Sequence, residues 1–249
     1  MGGRQNFLVS AQASHKRKFH LENQKPSSIP PLEAFLVIVV TFFVFLFLSA
    51  ASLLTLGNEP TLIIGELLIL AVPLVYMLVK RIDLKSYIKL DLSPKYILLG
   101  IGCGGLLLFL NIAVSNALTF VFGESQAVNQ ANQLLASLSA SPIGLVAVAS
   151  SLTLAGICEE FAFRGFLQNS LFITLNAAKS QKYAFTVAVL ISAAVFGIFH
   201  FDPQVVYTLA AFTTGLALGF VYYRWNYTTS AVAHATMNLI VLALLLVGA

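Results

Sequence analysis

Seven long apolar runs alternate with short polar segments along the 249 residues of the chain. They fall at roughly 35–56, 61–79, 96–122, 143–163, 183–199, 204–223 and 228–248. Each is near the ~20 residues an α-helix needs to cross a bilayer, although several are shorter. The pattern predicts an all-α, polytopic transmembrane helix bundle of about seven spans. Two smaller patterns sit within it. Residues 124–139 alternate polar and apolar positions and read as a loop with an interfacial helix. Gly215 and Gly219 form a small-xxx-small pair on the sixth run, suited to close helix contact or present by chance in a glycine-rich membrane protein.

The connecting segments carry the charge, and their asymmetry predicts an orientation. Lys80, Arg81, Lys85, Lys89 and Lys95 lie between the second and third runs, Lys179 and Lys182 between the fourth and fifth, and Arg224 between the sixth and seventh. The segments 57–60, 123–142 and 200–203 hold no Lys or Arg. Apart from Arg164, every basic residue therefore falls on the side of the N-terminal tail. The positive-inside rule then predicts a cytoplasmic N-terminus and an outer C-terminus.

Composition agrees. Hydrophobic residues make up 58% of the chain and charged ones 10%, against about 25% charged in soluble domains. The domain division predicted is a polar, basic tail over 1–30 and a transmembrane domain over 31–249. The tail reads as a disordered cytosolic segment, or as a transit peptide because it is poor in acids. It does not read as a signal peptide, since the apolar run begins too late and is too long. Gly2 lacks the following Ser or Thr of a myristoylation signal, because Asn6 stands there. The sequon at Asn226 lies on the predicted inner side and reads as silent. Cys103 and Cys158 offer neither a disulfide framework nor zinc-ligand spacing. The net charge of +4 sits at span ends and is not a nucleic-acid signature. The expected setting is the cell membrane, multi-pass, with an organelle membrane as the alternative.

Ionisable groups within a span are expensive, about 2.5–3.5 kcal/mol at a helix centre, and persist where they are paired or functional. Here they cluster. The fourth run contains Glu159, Glu160 and Arg164; the fifth ends Phe196-Gly197-Ile198-Phe199-His200; the seventh carries His234 and Asn238. Glu160 and Arg164 stand at i,i+4, the spacing of an ion pair on one helix face. Glu159 lies about 100° round the helix and is not neutralised by that contact. Phe196 shares a face with His200, and His234 with Asn238. Three polar faces must turn inward, toward one wet cavity. An unpaired carboxylate there can act as a general base on water, with a histidine opposite holding the same water. A second histidine with an asparagine one turn on supplies donors for a peptide oxyanion.

Each residue also has a plainer role open to it. Glu160–Arg164 can be a structural ion pair, His200 an interfacial or capping residue beside Asp202, and His234 and Asn238 interhelical hydrogen-bond formers. Glu66 in the second run has no evident partner and reads as structural. Zinc would need three protein ligands and a water; Glu159, His200 and His234 are the available set, without an HExxH motif. No serine-protease motif or intramembrane aspartate pair is present.

The set Glu159-Glu160-x-x-x-Arg164-Gly165, Phe196-x-x-x-His200 and His234-x-x-x-Asn238 resembles the CAAX-protease and bacteriocin-processing family, which includes the type II prenyl endopeptidases. The resemblance covers about residues 141–245. It implies a glutamate-dependent intramembrane endopeptidase with a cavity opening toward the cytosol, acting on a membrane-associated or lipidated peptide or protein. It further implies that Glu159 and His200 activate water, that Glu160 and Arg164 organise the site, and that His234 and Asn238 stabilise the oxyanion. No cofactor is expected; the zinc-dependent version is the alternative mechanism. A non-catalytic bacteriocin-immunity or scaffold protein, and a transporter or channel using the same carboxylates, are the alternative functions. The intact motif set weighs against the first, and the lack of a visible inverted repeat against the second. One expectation concerns depth. Glu159, Glu160 and His234 fall in the inner half of their runs, and His200 near the outer end of its own. For all to meet, the fifth and sixth runs must form a shallow hairpin, or the fourth must break near Gly156.

Overall fold

A computed structural model describes residues 28–248; the tail expected over 1–30 lies, for residues 1–27, outside them. The helices are α1 (Pro31–Leu56), α2 (Asn58–Val79), a short α3 (Leu84–Tyr87), α4 (Pro94–Phe122), α5 (Gln126–Ser139) and α6 (Pro142–Glu160). A π-helix (Phe161–Gln168), α7 (Asn169–Ala178), α8 (Gln181–Phe199), α9 (Val206–Arg224) and α10 (Tyr227–Val247) complete the chain. Among the described residues there is no strand, and seven helical segments are long and apolar enough to cross a membrane. The protein is an all-α, multi-pass membrane bundle.

Local chemistry sets the helix boundaries. Proline opens α1, α4 and α6, where its missing N–H would be unpaired in any case. Side-chain caps open α5, α6, α8 and α10: Ser125 accepts from Val128 N at 3.1 Å, Ser141 from Gly144 N at 3.0 Å, Ser180 from Tyr183 N at 3.3 Å, and Asn226 from Thr229 N at 2.9 Å. The helix expected within 124–139 is α5, and it packs on α6. Gly57, with φ +86°, is the only residue between α1 and α2, a conformation that glycine enters without a steric penalty.

The fourth apolar run departs from expectation. It does not end near 163 but continues through the π-helix and α7 to Ala178, a 37-residue segment. Arg164, Gln168, Asn169 and Ser170 lower the hydropathy there, yet all four are buried. Each finds a partner far away in the chain. The Arg164 Nη2 donates to Gly215 O at 3.2 Å, Gln168 to Gly219 O at 3.0 Å, Asn169 to Tyr87 O at 2.8 Å and Ser170 to Ile29 O at 2.6 Å. A satisfied polar group does not end a buried helix.

Small residues fix the depth of α10 between α4 and α6. A Cβ on Gly100 would stand 2.7 Å from Val232 Cβ, one on Gly104 2.6 Å from Ala233 O, and one on Gly156 2.5 Å from Ala235 N. Backbones can approach this closely only without side chains in between. The Gly215/Gly219 pair works similarly on α9: Gly215 meets Ala193 of α8, and Gly219 meets Gln168 and Val189. Their bare backbone leaves the two carbonyls open to Arg164 and Gln168, which are spaced at i,i+4 as well.

Candidate active site

The site forms where the C-terminal end of α6 meets the end of α8 and the middle of α10. Glu160 is fully buried and fully committed. Its Oε1 lies 2.7 Å from Nη1 of Arg164, which is equally buried, and 3.2 Å from Nδ1 of His234. Its Oε2 accepts from the Ser230 hydroxyl. The guanidinium also lies over the Phe196 ring, 4.4 Å from its centroid, a cation–π contact that desolvation strengthens.

Glu159, one residue earlier, is placed differently. Its Oε1 faces Nε2 of His200 at 3.9 Å and its Oε2 faces Nε2 of His234 at 3.8 Å. Both separations exceed direct hydrogen-bond reach. The Oε2 atom is buried without a hydrogen-bond partner. The two adjacent glutamates therefore divide: one carboxylate is neutralised by a cation and held by two further donors, and the other is left uncommitted between two imidazoles.

The histidines are held by their other nitrogens. Nδ1 of His200 bonds Phe196 O at 2.9 Å. A carbonyl only accepts, so Nδ1 carries a proton, and Nε2 is the nitrogen turned toward Glu159. Nδ1 of His234 donates to the Glu160 carboxylate and likewise turns Nε2 toward Glu159. The Phe196 ring packs against both imidazoles, 4.5 Å from His200 and 5.9 Å from His234.

The π-helix starts immediately after Glu160. Its wider turn changes the carbonyl pattern, and neighbouring helices supply donors: Ser192 of α8 bonds Phe163 O at 2.7 Å, and Tyr227 of α10 bonds Ile157 O at 2.8 Å. Exposure falls steeply along this segment. The side chain of His200 is 17% exposed and that of Glu159 10%, whereas Glu160 and Arg164 show none, and every residue from Cys158 to Leu171 is buried. Toward α7 the site is closed; toward the α8–α9 hairpin it is not.

Glu159, Glu160, Arg164, His200 and His234 are brought together. Asn238 is on the same face of α10, but one of its amide hydrogens goes to Leu152 O of α6 at 3.3 Å, on the far side of Glu159 from Arg164. Of the two depth options, a break near Gly156 is absent, since α6 runs unbroken through it, and His200 directly follows the end of α8 at Phe199. Ser230 was not among the expected residues, yet it stands one turn before His234 on the face already identified. Glu66, expected to be structural, has a buried oxygen without a hydrogen-bond partner. The zinc set fits poorly. The two Nε2 atoms face different oxygens of Glu159, and among the described residues no three His, Cys, Asp or Glu side chains are grouped to hold a metal ion.

Residues 141–240 match the family model described as "Type II CAAX prenyl endopeptidase Rce1-like". The matched segment contains every residue of the three motifs, so the resemblance read from them holds over that stretch. No curated protein and no solved structure matches the chain.

Proposed function

We propose, because residues 141–240 match the family model described as type II CAAX prenyl endopeptidase Rce1-like, that this chain is an intramembrane protease that hydrolyses a peptide bond of a membrane-associated or lipidated substrate with Glu159 as general base. The observation that carries the reading is the division of the glutamates. Glu160 is tied to Arg164, Ser230 and His234, while Glu159 faces two imidazole nitrogens with one oxygen unpartnered. A free carboxylate beside a fully paired one is the arrangement a base requires.

The steps follow from the protons. Glu159 and the Nε2 lone pair of His200 accept the two hydrogens of one water molecule. Glu159 takes its proton as the water oxygen attacks the scissile carbonyl carbon. The oxyanion that forms is met by His234 and by the second amide hydrogen of Asn238. To donate through Nε2, His234 must carry both ring protons, and the Glu160 carboxylate, which accepts from its Nδ1, is its counter-ion in that form. The C–N bond then breaks, and the proton held by Glu159 passes to the leaving amine. Arg164 and Phe196 hold Glu160, and through it His234, in place.

The reading is metal-free. Purified protein incubated with a chelator should keep its rate of cleavage on a membrane-embedded peptide. Loss of that rate, restored by added zinc, would replace it with the zinc-dependent mechanism. A wild-type protein that cleaves nothing in an unbiased library of membrane-embedded peptides would contradict the enzyme assignment.

A further inference from the structure

His200 is the last residue tied to α8 and the first of the α8–α9 hairpin. Its φ of −101° and ψ of 39° leave the helix, while its N–H still bonds Gly197 O at 3.0 Å. Helix ends fray unless something outside the helix holds them. Phe201, the next residue, is 72% exposed and anchors nothing.

Asp202 follows and is fully buried. Its carboxylate accepts from Gln204 N at 3.2 Å and from Tyr207 N at 3.0 Å, pairing an otherwise orphan donor in the first turn of α9. Its own N–H donates to Thr208 Oγ1 at 2.9 Å, and the Thr208 hydroxyl donates onward to His200 O at 3.1 Å. One hydroxyl thus ties the two arms of the hairpin together at the histidine. The Asp202 carbonyl completes the turn by accepting from Val205 N at 2.8 Å.

The turn is strained. Val205 has φ +58°, a left-handed conformation that a β-branched residue rarely adopts. Such strain persists where the surrounding bonds over-determine it, and it concentrates at functional sites. Here the surrounding bonds are those of Asp202. The same carboxylate seats Tyr207, whose ring packs edge-on against His200 at 5.2 Å.

We propose that Asp202 and Thr208 are positioning residues: their clasp fixes the point at which α8 ends and so aims Nε2 of His200 at Glu159. The inference rests on the assignment of Glu159 and His200 as the water-activating pair. Neither residue of the clasp belongs to the three motifs, and neither touches Glu159. They act through His200.

The test compares Thr208→Val, which keeps the shape and removes the hydroxyl, with Thr208→Ser, which keeps the hydroxyl. Each is made in the wild-type and the His200→Ala backgrounds. On a membrane-embedded peptide, Thr208→Val should lower kcat about 10- to 100-fold with KM unchanged, since a misplacement near 1 Å has that order of effect. Thr208→Ser should retain the rate. In the His200→Ala background the Thr208→Val effect should vanish, as coupled residues require. A second readout does not depend on activity. Acylation of histidines by diethyl pyrocarbonate, read by mass spectrometry, should rise at His200 in Thr208→Val and stay constant at His234. An unchanged His200/His234 labelling ratio, or the same loss of rate in both backgrounds, would overturn the clasp alone. A His200→Ala protein with the wild-type rate would overturn the water-activation reading and the clasp with it.

Discussion

Arg164 Nη1 stands 2.7 Å from Glu160 Oε1, and neither side chain has any exposure. A buried pair contributes modestly as a pair, but removal of one partner strands the other charge in a low dielectric at a loss of about 3–5 kcal/mol. Arg164→Ala and Glu160→Gln are therefore expected to unfold the protein at much lower temperature or denaturant concentration in detergent. Unfolding midpoints near wild type for both would contradict a structural role for the pair.

Gly156 controls the approach of α6 to α10. A methyl group there would press on Ala235 N and Ala231 O, both backbone atoms that cannot rotate away. Gly156→Ala should force α10 outward, destabilise the fold by about 1–3 kcal/mol and lower cleavage by displacing His234. An activity and a melting midpoint equal to wild type would contradict this packing.

Val205 offers a change in the opposite direction. Asparagine enters the left-handed region more readily than valine. Val205→Asn should raise stability by about 1 kcal/mol, visible as a higher unfolding midpoint, with cleavage retained. A lower midpoint would show that the strain inferred from φ is not stored there.

Asp202 gives a pH signature. Burial by itself would raise its pKa, but the backbone N–H groups of Tyr207 and Gln204 outweigh it and hold the carboxyl below its ordinary value of 3.8. A depressed carboxyl adds stability above its unfolded pKa and loses it as pH falls through the folded one. The stability gap between wild type and Asp202→Asn should be flat at neutral and mildly acid pH, and should close as pH drops below 3.8. A gap that closes near pH ~6.5, the ordinary histidine value, would assign the effect to an imidazole instead.

The charge map and the family resemblance differ on which membrane face the site meets. The map places the α8–α9 hairpin opposite the basic loops, whereas the resemblance implies a cytosolic mouth. Phe201 on that hairpin is exposed. A Phe201→Cys variant, with Cys103 and Cys158 replaced by serine, should react with a membrane-impermeant maleimide in intact cells if the map is right. Labelling only after permeabilisation would invert the orientation and favour the cytosolic mouth.

Much of the fold was legible as hydropathy, because lipid-facing helices announce themselves by length and apolarity. The true extent of the fourth span was not. Arg164, Gln168, Asn169 and Ser170 look like the end of a span, and their partners Gly215, Gly219, Tyr87 and Ile29 lie 51, 51, 82 and 141 residues away in the chain. Helical spacing did foretell the Glu160–Arg164 pair, since both residues share one helix. It could also have pointed to Ser230, one turn from His234. It could not reveal that Asn238 would donate to Leu152 O, because that depends on how separate helices register. Nor could it reveal the bonds of Asp202 and Thr208 that close the turn between α8 and α9, contacts between loop and helix that periodicity does not encode.

The central claim is that two adjacent glutamates have different work: Glu160 holds the site together and Glu159 moves the proton. The most direct measurement compares Glu159→Gln and Glu160→Gln, purified in parallel, for unfolding midpoint and for cleavage of a membrane-embedded peptide. Glu159→Gln should keep a midpoint near wild type while cleavage falls by about 10²- to 10⁴-fold, the range attributable to a general base. Glu160→Gln should lose the midpoint. A Glu159→Gln protein that cleaves at the wild-type rate would contradict the account.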